Sequence, residues 1–134
     1  MKETPEVRRV LVVDDDPVLT KLLQSTLTEK GYDVTAMENA ADGLEFAIQQ
    51  HPDLIILDVM MPIINGYNFC RLLKNEEGKK HIPIILLTAR DEISDVEIGL
   101  EMGAEAYLTK PVNMQELFRT IKVVSTLGKK GKED

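Results

Sequence analysis

The run Val10-Leu11-Val12-Val13-Asp14-Asp15-Asp16-Pro17 decides the fold. Four consecutive apolar residues, mostly β-branched, read as a strand buried on both faces, as the strands of a parallel sheet are. Asp16 in front of Pro17 reads as a helix cap followed by proline at the first helical position. The same stop recurs three times: Leu54 to Leu57 ends on Asp58, Ile84 to Leu87 on Thr88, and Ala106 to Leu108 on Thr109 and Lys110. Ligands of open parallel sheets sit beyond the carboxyl ends of the strands. Carboxylates, a hydroxyl and an ammonium are therefore expected along one edge.

Working outward, strand-like and helix-like segments alternate along the chain, five of each, the pattern of an α/β fold with a parallel sheet. After the first strand, Leu19, Leu22, Leu23 and Leu27 form a helical stripe that Gly31 can end in a left-handed conformation. A second strand near Asp33 to Met37 leads through Asn39, a good cap, into a helix with Leu44, Ala47 and Ile48 on one face, stopped before Pro52. Tyr67 to Lys74 reads as a helix with Phe69, Cys70 and Leu73 inward, and Ile93, Val96 and Leu100 mark a fourth helix ending at Gly103. Asn113, three residues before Glu116, opens a fifth that carries Leu117, Ile121 and Val124. Residues 1–8 read as an N-terminal extension, 9–127 as one domain, and 128–134, with two glycines and three lysines, as a flexible tail or the start of a linker.

Composition excludes several classes of function. A 134-residue chain is one domain that can remove roughly two-thirds of its unfolded surface from water without a staple. Aromatics are 4% and Trp is absent, so no base-stacking platform is expected. A net charge of -7 argues against holding nucleic acid by its phosphates. The lone Cys70 reads as a buried thiol, consistent with a reducing cytoplasm. Met1 to Arg9 lacks a signal-peptide core, and no run reaches the roughly 18 apolar residues of a membrane span, so neither export nor a membrane partner is expected.

Asp16 is explained by capping alone. Asp14 and Asp15 are not, because continuing a buried strand into acids is costly unless they are paired or coordinate something. Two unit charges ~4 Å apart repel by roughly 4 kcal/mol at an effective dielectric near 20. A hard divalent cation such as Mg²⁺, which takes oxygen ligands and is typically held by one or two carboxylates plus phosphate oxygens, relieves that repulsion. A carboxylate beside it, here Asp58, can act as a nucleophile toward phosphorus. The transferred group spreads charge over its oxygens, and Lys110 and Thr88 supply the cationic and hydrogen-bonding groups that stabilise it. His51 and His81 have neither metal-ligand spacing nor a neighbouring nucleophile, so no catalytic role is expected of either.

Val12-Val13-Asp14-Asp15-Asp16-Pro17, Asp58-Val59-Met60-Met61-Pro62 with Asn65-Gly66, Leu87-Thr88-Ala89, and Gly103-Ala104 through Tyr107-Leu108-Thr109-Lys110-Pro111 together resemble the receiver domain of bacterial two-component response regulators, of the chemotaxis-regulator kind. The resemblance spans Arg9 to Leu127. It implies a single doubly wound, five-stranded parallel sheet with five helices and flavodoxin-like strand order 2-1-3-4-5. It implies that Asp58 accepts a phosphoryl group from a phosphohistidine of a sensor histidine kinase or phosphotransfer protein, with Asp14, Asp15, Asp58 and the Met60 carbonyl holding Mg²⁺, or Mn²⁺ in its place. Lys110 would contact the phosphoryl oxygens, and Thr88 and Tyr107 would form the switch. That switch would alter the face made by the fourth helix, fifth strand and fifth helix toward a downstream protein or output domain, a face that could also pair two copies. Met60 and Arg90 would tune dephosphorylation, and Lys110-Pro111 is a candidate cis peptide. Such a chain is no enzyme beyond catalysing its own phosphorylation and dephosphorylation.

Asn65, where an aspartate is common, and the apolar Ile63-Ile64 depart from the family pattern without touching these positions. Two other readings compete. A receiver-like interaction module that is not phosphorylated would usually lack an acid or the lysine. A haloacid-dehalogenase-type phosphatase shares two aspartates one residue apart, as Asp14 and Asp16 are, but Val18 replaces its expected threonine and the chain is short for its cap domain.

Overall fold

The structure, a computed structural model, describes residues 8–61, 65–76, 82–89 and 103–133, with side chains as far as 125. Five strands, β1 (Arg9–Val13), β2 (Asp33–Met37), β3 (Leu54–Asp58), β4 (Ile84–Thr88) and β5 (Ala106–Thr109), form one parallel sheet in the order β2-β1-β3-β4-β5. This is the expected flavodoxin-like order. The described helices are α1 (Pro17–Glu29), α2 (Ala40–Gln50), α3 (Gly66–Lys74) and a C-terminal helix (Met114–Glu133). The fourth helix expected from Ile93, Val96 and Leu100 lies outside the described residues, as do Ile63, Ile64, His81 and Arg90.

Alternation along the strands divides the core into two layers, because successive side chains point to opposite faces of the sheet. Leu11, Val13, Ile55, Leu57, Ile84 and Leu86 pack with Ala47, Phe69, Cys70 and Leu73 of α2 and α3. Val10, Val12, Leu54, Ile56, Ile85, Leu87 and Leu108 pack with Leu23 and Leu27 of α1 and with Leu117, Ile121 and Val124 of the C-terminal helix. Both faces of β3 and β4 are buried throughout. The continuous apolar runs in the sequence have this cause.

The local signals act as their chemistry predicts. The Asp16 side chain accepts from the Val18 and Leu19 amides, and Asn39 and Asn65 cap α2 and α3 in the same way. Gly31, at φ +97, turns the chain after α1, and Asn113 accepts from the Glu116 amide at 3.0 Å. His51 takes a left-handed conformation (φ 52) as the residue that caps the end of α2. The Lys110-Pro111 peptide is cis.

Two expectations are corrected. The buried face of α1 is Thr20, Leu23 and Leu27, so Leu22 is 51% exposed and lines a groove with Val18, Leu19, Pro111 and Val112. Packing selects an i, i+3, i+7 stripe, and Leu22 falls to one side of it. On α2 the expected face of Leu44, Ala47 and Ile48 does pack on the core, Ala47 buried and the other two half-buried, and the small residues Ala40 and Gly43 are buried beside it. The C-terminal helix continues to Glu133 through Gly128 and Gly131, where the glycines suggested a tail. Each interior glycine disfavours helix by about 1 kcal/mol relative to alanine, but extending an existing helix is far easier than starting one.

A Cβ at Gly43 would lie 2.7 Å from Val13 Cγ2 and 3.2 Å from Cγ1. Gly43→Ala is therefore expected to destabilise by about 1–2 kcal/mol in urea unfolding, overpacking exceeding the helix-propensity gain, and a simultaneous Val13→Ala should remove that steric part.

Candidate functional site

Strand register places the chemistry. β1 and β3 pair in parallel with Val13 opposite Leu57, so Asp14 and Asp58 are the next residues on adjacent strands. β3 pairs with β4 so that Asp58 stands opposite Leu87, and Thr88 stands opposite Thr109 of β5. One carboxylate oxygen from each of Asp14, Asp15 and Asp58 falls within 4.8 Å of the others. Asp14 is wholly buried, Asp58 is 5% exposed and Asp15 faces solvent.

Lys110 reaches this cluster from the end of β5. Its ammonium lies 2.9 Å from Asp14 Oδ2 and 3.4 Å from Asp58 Oδ2. The Lys110 amide donates to the Thr88 carbonyl at 2.8 Å, which fixes the start of that excursion. The carboxylates are oriented by main chain: Asp14 Oδ1 accepts from the Asp16 amide at 2.9 Å, and Asp58 Oδ1 from the Met60 amide at 3.2 Å. Lys110 meets Asp14 Oδ2 outside hydrogen-bonding angles, so among the described residues this buried oxygen makes no hydrogen bond. A buried carboxylate oxygen with spare lone pairs, beside two more carboxylates, is a donor set suited to a hard divalent cation.

Thr88 is buried, and among the described residues its hydroxyl donates to the Ala89 carbonyl at 3.3 Å. Tyr107 is 40% exposed on β5, opposite Leu86. Met60 is 58% exposed beside Asp58. Thus Asp14, Asp15, Asp58 and Lys110 are brought together as expected, Thr88 stands at the neighbouring strand end, and Tyr107 lies on the outer strand away from the cluster. Cys70 is fully buried among apolar neighbours, and burial pushes its thiol up to about 12, which removes it from the chemistry.

Two features had no signal in the one-dimensional pattern. The Lys74 ammonium at the end of α3 donates to the Ile82 carbonyl at 2.6 Å and to Glu105 Oε2 at 3.0 Å, while Glu105 Oε1 accepts from the Ile84 amide at 2.8 Å. This stitch holds α3 to the amino ends of β4 and β5. Lys30, over the Phe118 ring at 5.0 Å, joins α1 to the C-terminal helix. In the sequence each of these is an ordinary charged residue.

Burial first, and the Asp14 charge second, push the Asp58 carboxyl up to about 6, against the opposing pull of Lys110 and the Met60 amide. Burial draws the Lys110 ammonium down, but its contacts with Asp14 and Asp58 outweigh that and leave it above its ordinary value. A carboxyl raised in the folded state contributes stability that is complete below its unfolded pKa and is lost as pH rises through about 6. In metal-free protein Asp58→Asn is therefore expected to raise stability at pH 8 by about 1–2 kcal/mol and to change it little at pH 4, read by urea unfolding in EDTA.

The sequence model of the response regulator receiver domain matches residues 10–122. The alkaline phosphatase synthesis transcriptional regulatory protein PhoP of Bacillus subtilis is 40% identical over 117 residues, covering 87% of this chain and 48% of its own length. Protein PilH of Pseudomonas aeruginosa is 38% identical over 116 residues, covering 87% of this chain and 96% of its own. The chain thus spans about half the length of the first curated relatives it matches, and nearly all of PilH. Among solved structures, the receiver domain of a Pseudomonas aeruginosa sensor histidine kinase, with magnesium coordinated in its active-site cleft, superposes with a TM-score of 0.81 at 31% identity over 90% of this chain and 98% of that one. Strand order, the acidic strand ends and these matches together show that the chain belongs to the receiver domain family of two-component response regulators.

Proposed function

We propose that residues 9–127 form a phosphoacceptor receiver that takes a phosphoryl group from the phosphohistidine of a sensor histidine kinase or phosphotransfer protein onto Asp58. The observation that carries this reading is the convergence of Asp14, Asp58 and Lys110 within 3.4 Å contacts at adjoining strand ends, with Asp15 completing the acidic cluster. A divalent cation, Mg²⁺ by preference, held by Asp14, Asp15, Asp58 and the Met60 carbonyl would neutralise the carboxylates and withdraw charge from the phosphoryl oxygens.

Asp58 does the bond-making. Its carboxylate oxygen attacks phosphorus, the new oxygen–phosphorus bond replaces the phosphorus–nitrogen bond, and the donor's ring, already protonated on its other nitrogen, takes the bonding pair and leaves as neutral imidazole. The Met60 amide holds Asp58 Oδ1, leaving Oδ2, which faces Lys110, as the attacking atom. Lys110 is already stretched between two carboxylates and turns its ammonium to the arriving oxygens, while Asp14 retains part of the pair. Thr88, weakly held at 3.3 Å, rotates to donate to the phosphoryl group, and Tyr107 follows toward the space vacated. The output is a changed surface on β5 and the C-terminal helix, read by a downstream protein or output domain.

The first curated relatives are about twice as long as this chain, and several are named as DNA-binding or transcriptional regulators. DNA contact in such proteins is expected outside this unit, whose own charge opposes it. Arg90, outside the described residues, and Met60 are the positions we assign to tuning phosphate loss.

Incubation with acetyl phosphate and Mg²⁺ is expected to add one phosphoryl group by mass spectrometry, and Asp58→Asn to abolish the addition. No addition, and no Mg²⁺-dependent NMR shifts near Asp58, Thr88 and Tyr107 with beryllofluoride, would leave a non-phosphorylated interaction module instead. Met60 offers no group that orients water, so Met60→Asn should shorten the phosphorylated lifetime several-fold in a dephosphorylation time course. An equal lifetime sinks that assignment.

A further inference from the structure

Gly66 opens α3, and its main chain lies unusually close to the strand end that carries Asp58. A Cβ there would stand 2.9 Å from Val59 Cα, a separation that real Cβ atoms essentially never show, and 3.0 Å from the Asp58 carbonyl oxygen, tighter than nine in ten real Cβ contacts. Both obstacles are backbone, so neither can rotate aside as the tip of a flexible side chain would.

The close approach serves one hydrogen bond. The Gly66 amide donates to the Val59 carbonyl at 2.9 Å. That carbonyl and the Met60 amide belong to the same peptide unit, and a peptide unit is planar, so its two ends turn together. The Met60 end donates to Asp58 Oδ1 at 3.2 Å. Gly66 thus grips one end of the plate whose other end aims the acceptor carboxylate. Asp58 Oδ2 is left directed toward Lys110 at 3.4 Å.

We propose that Gly66 is a positioning residue for phosphoryl transfer, acting through the Val59–Met60 peptide to hold the Asp58 carboxylate in its attacking orientation. The proposal rests on Asp58 being the acceptor. Gly43 shows why it differs from ordinary tight packing: a Cβ at Gly43 meets the Val13 side chain and touches nothing that orients Asp58. Displacing a nucleophile by a fraction of an ångström is costly in rate, since the gain from orientation depends on near-attack geometry.

The test measures Gly66→Ala at saturating Mg²⁺ with phosphoramidate as donor, alongside amide NMR of the folded protein. The expected result is a phosphorylation rate about ten-fold lower per folded molecule, with the Met60 amide resonance moved upfield and exchanging faster with solvent. Gly43→Ala, the destabilised control, should keep both the rate and the Met60 resonance of the parent chain. A Gly66→Ala protein that is less stable but has the parent rate and Met60 resonance overturns the proposal. Should Gly66→Ala fail to fold, the parent chain decides: a through-bond scalar coupling between the Gly66 nitrogen and the Val59 carbonyl carbon is expected, and its absence overturns the proposal. A parent chain that accepts no phosphoryl group overturns the acceptor reading, whereas the coupling and the Met60 resonance still report on Gly66.

Discussion

Asp14 and Asp58 are buried carboxylates at the ends of neighbouring strands, and their repulsion organises the working edge. A strand covered on both faces offers a charge no water along its length, so acids can stand only where the strand runs out. Once two such ends are side by side, a cation must lie between them, and Lys110 supplies one charge to both. Among the described residues one ammonium faces three acidic groups, which leaves the cluster short of positive charge. The raised Asp58 carboxyl, pushed up in part by the Asp14 charge, is one expression of that shortage.

Strand order then assigns neighbours. With β3 at the centre of β2-β1-β3-β4-β5, Asp58 has the acids on one flank and Thr88 on the other. Lys110 starts from the outermost strand and crosses the end of β4, a reach that suits its long, flexible side chain. The strand register brings Asp14, Asp58, Thr88 and Lys110 to one edge. They meet because each βα unit ends its strand at the same edge.

The edge was legible because it depends on local events: apolar runs that stop, Asp16 before Pro17, Asn39 and Asn113 ahead of their helices, Gly31 after α1. Each is set by residues a few positions apart. What escaped the sequence depends on partners distant in the chain. Leu22 has core spacing on α1 but misses the contact line that Thr20, Leu23 and Leu27 make with the sheet. Gly43 and Gly66 look like weak points in helices, and their purpose appears only when the backbone or side chain opposite each is known. Lys74 and Glu105, 31 positions apart, carry no mark of pairing.

The stitch of Lys74 and Glu105 lies at the amino ends of β4 and β5, and the acidic cluster at the carboxyl ends. A strand of five residues separates them by roughly 17 Å. Groups that far apart with no shared partner contribute independently. Substitutions can therefore revise the acidic rim while the opposite rim keeps the molecule assembled. Such separation lets one scaffold diversify into many signalling specificities without renegotiating its own folding each time.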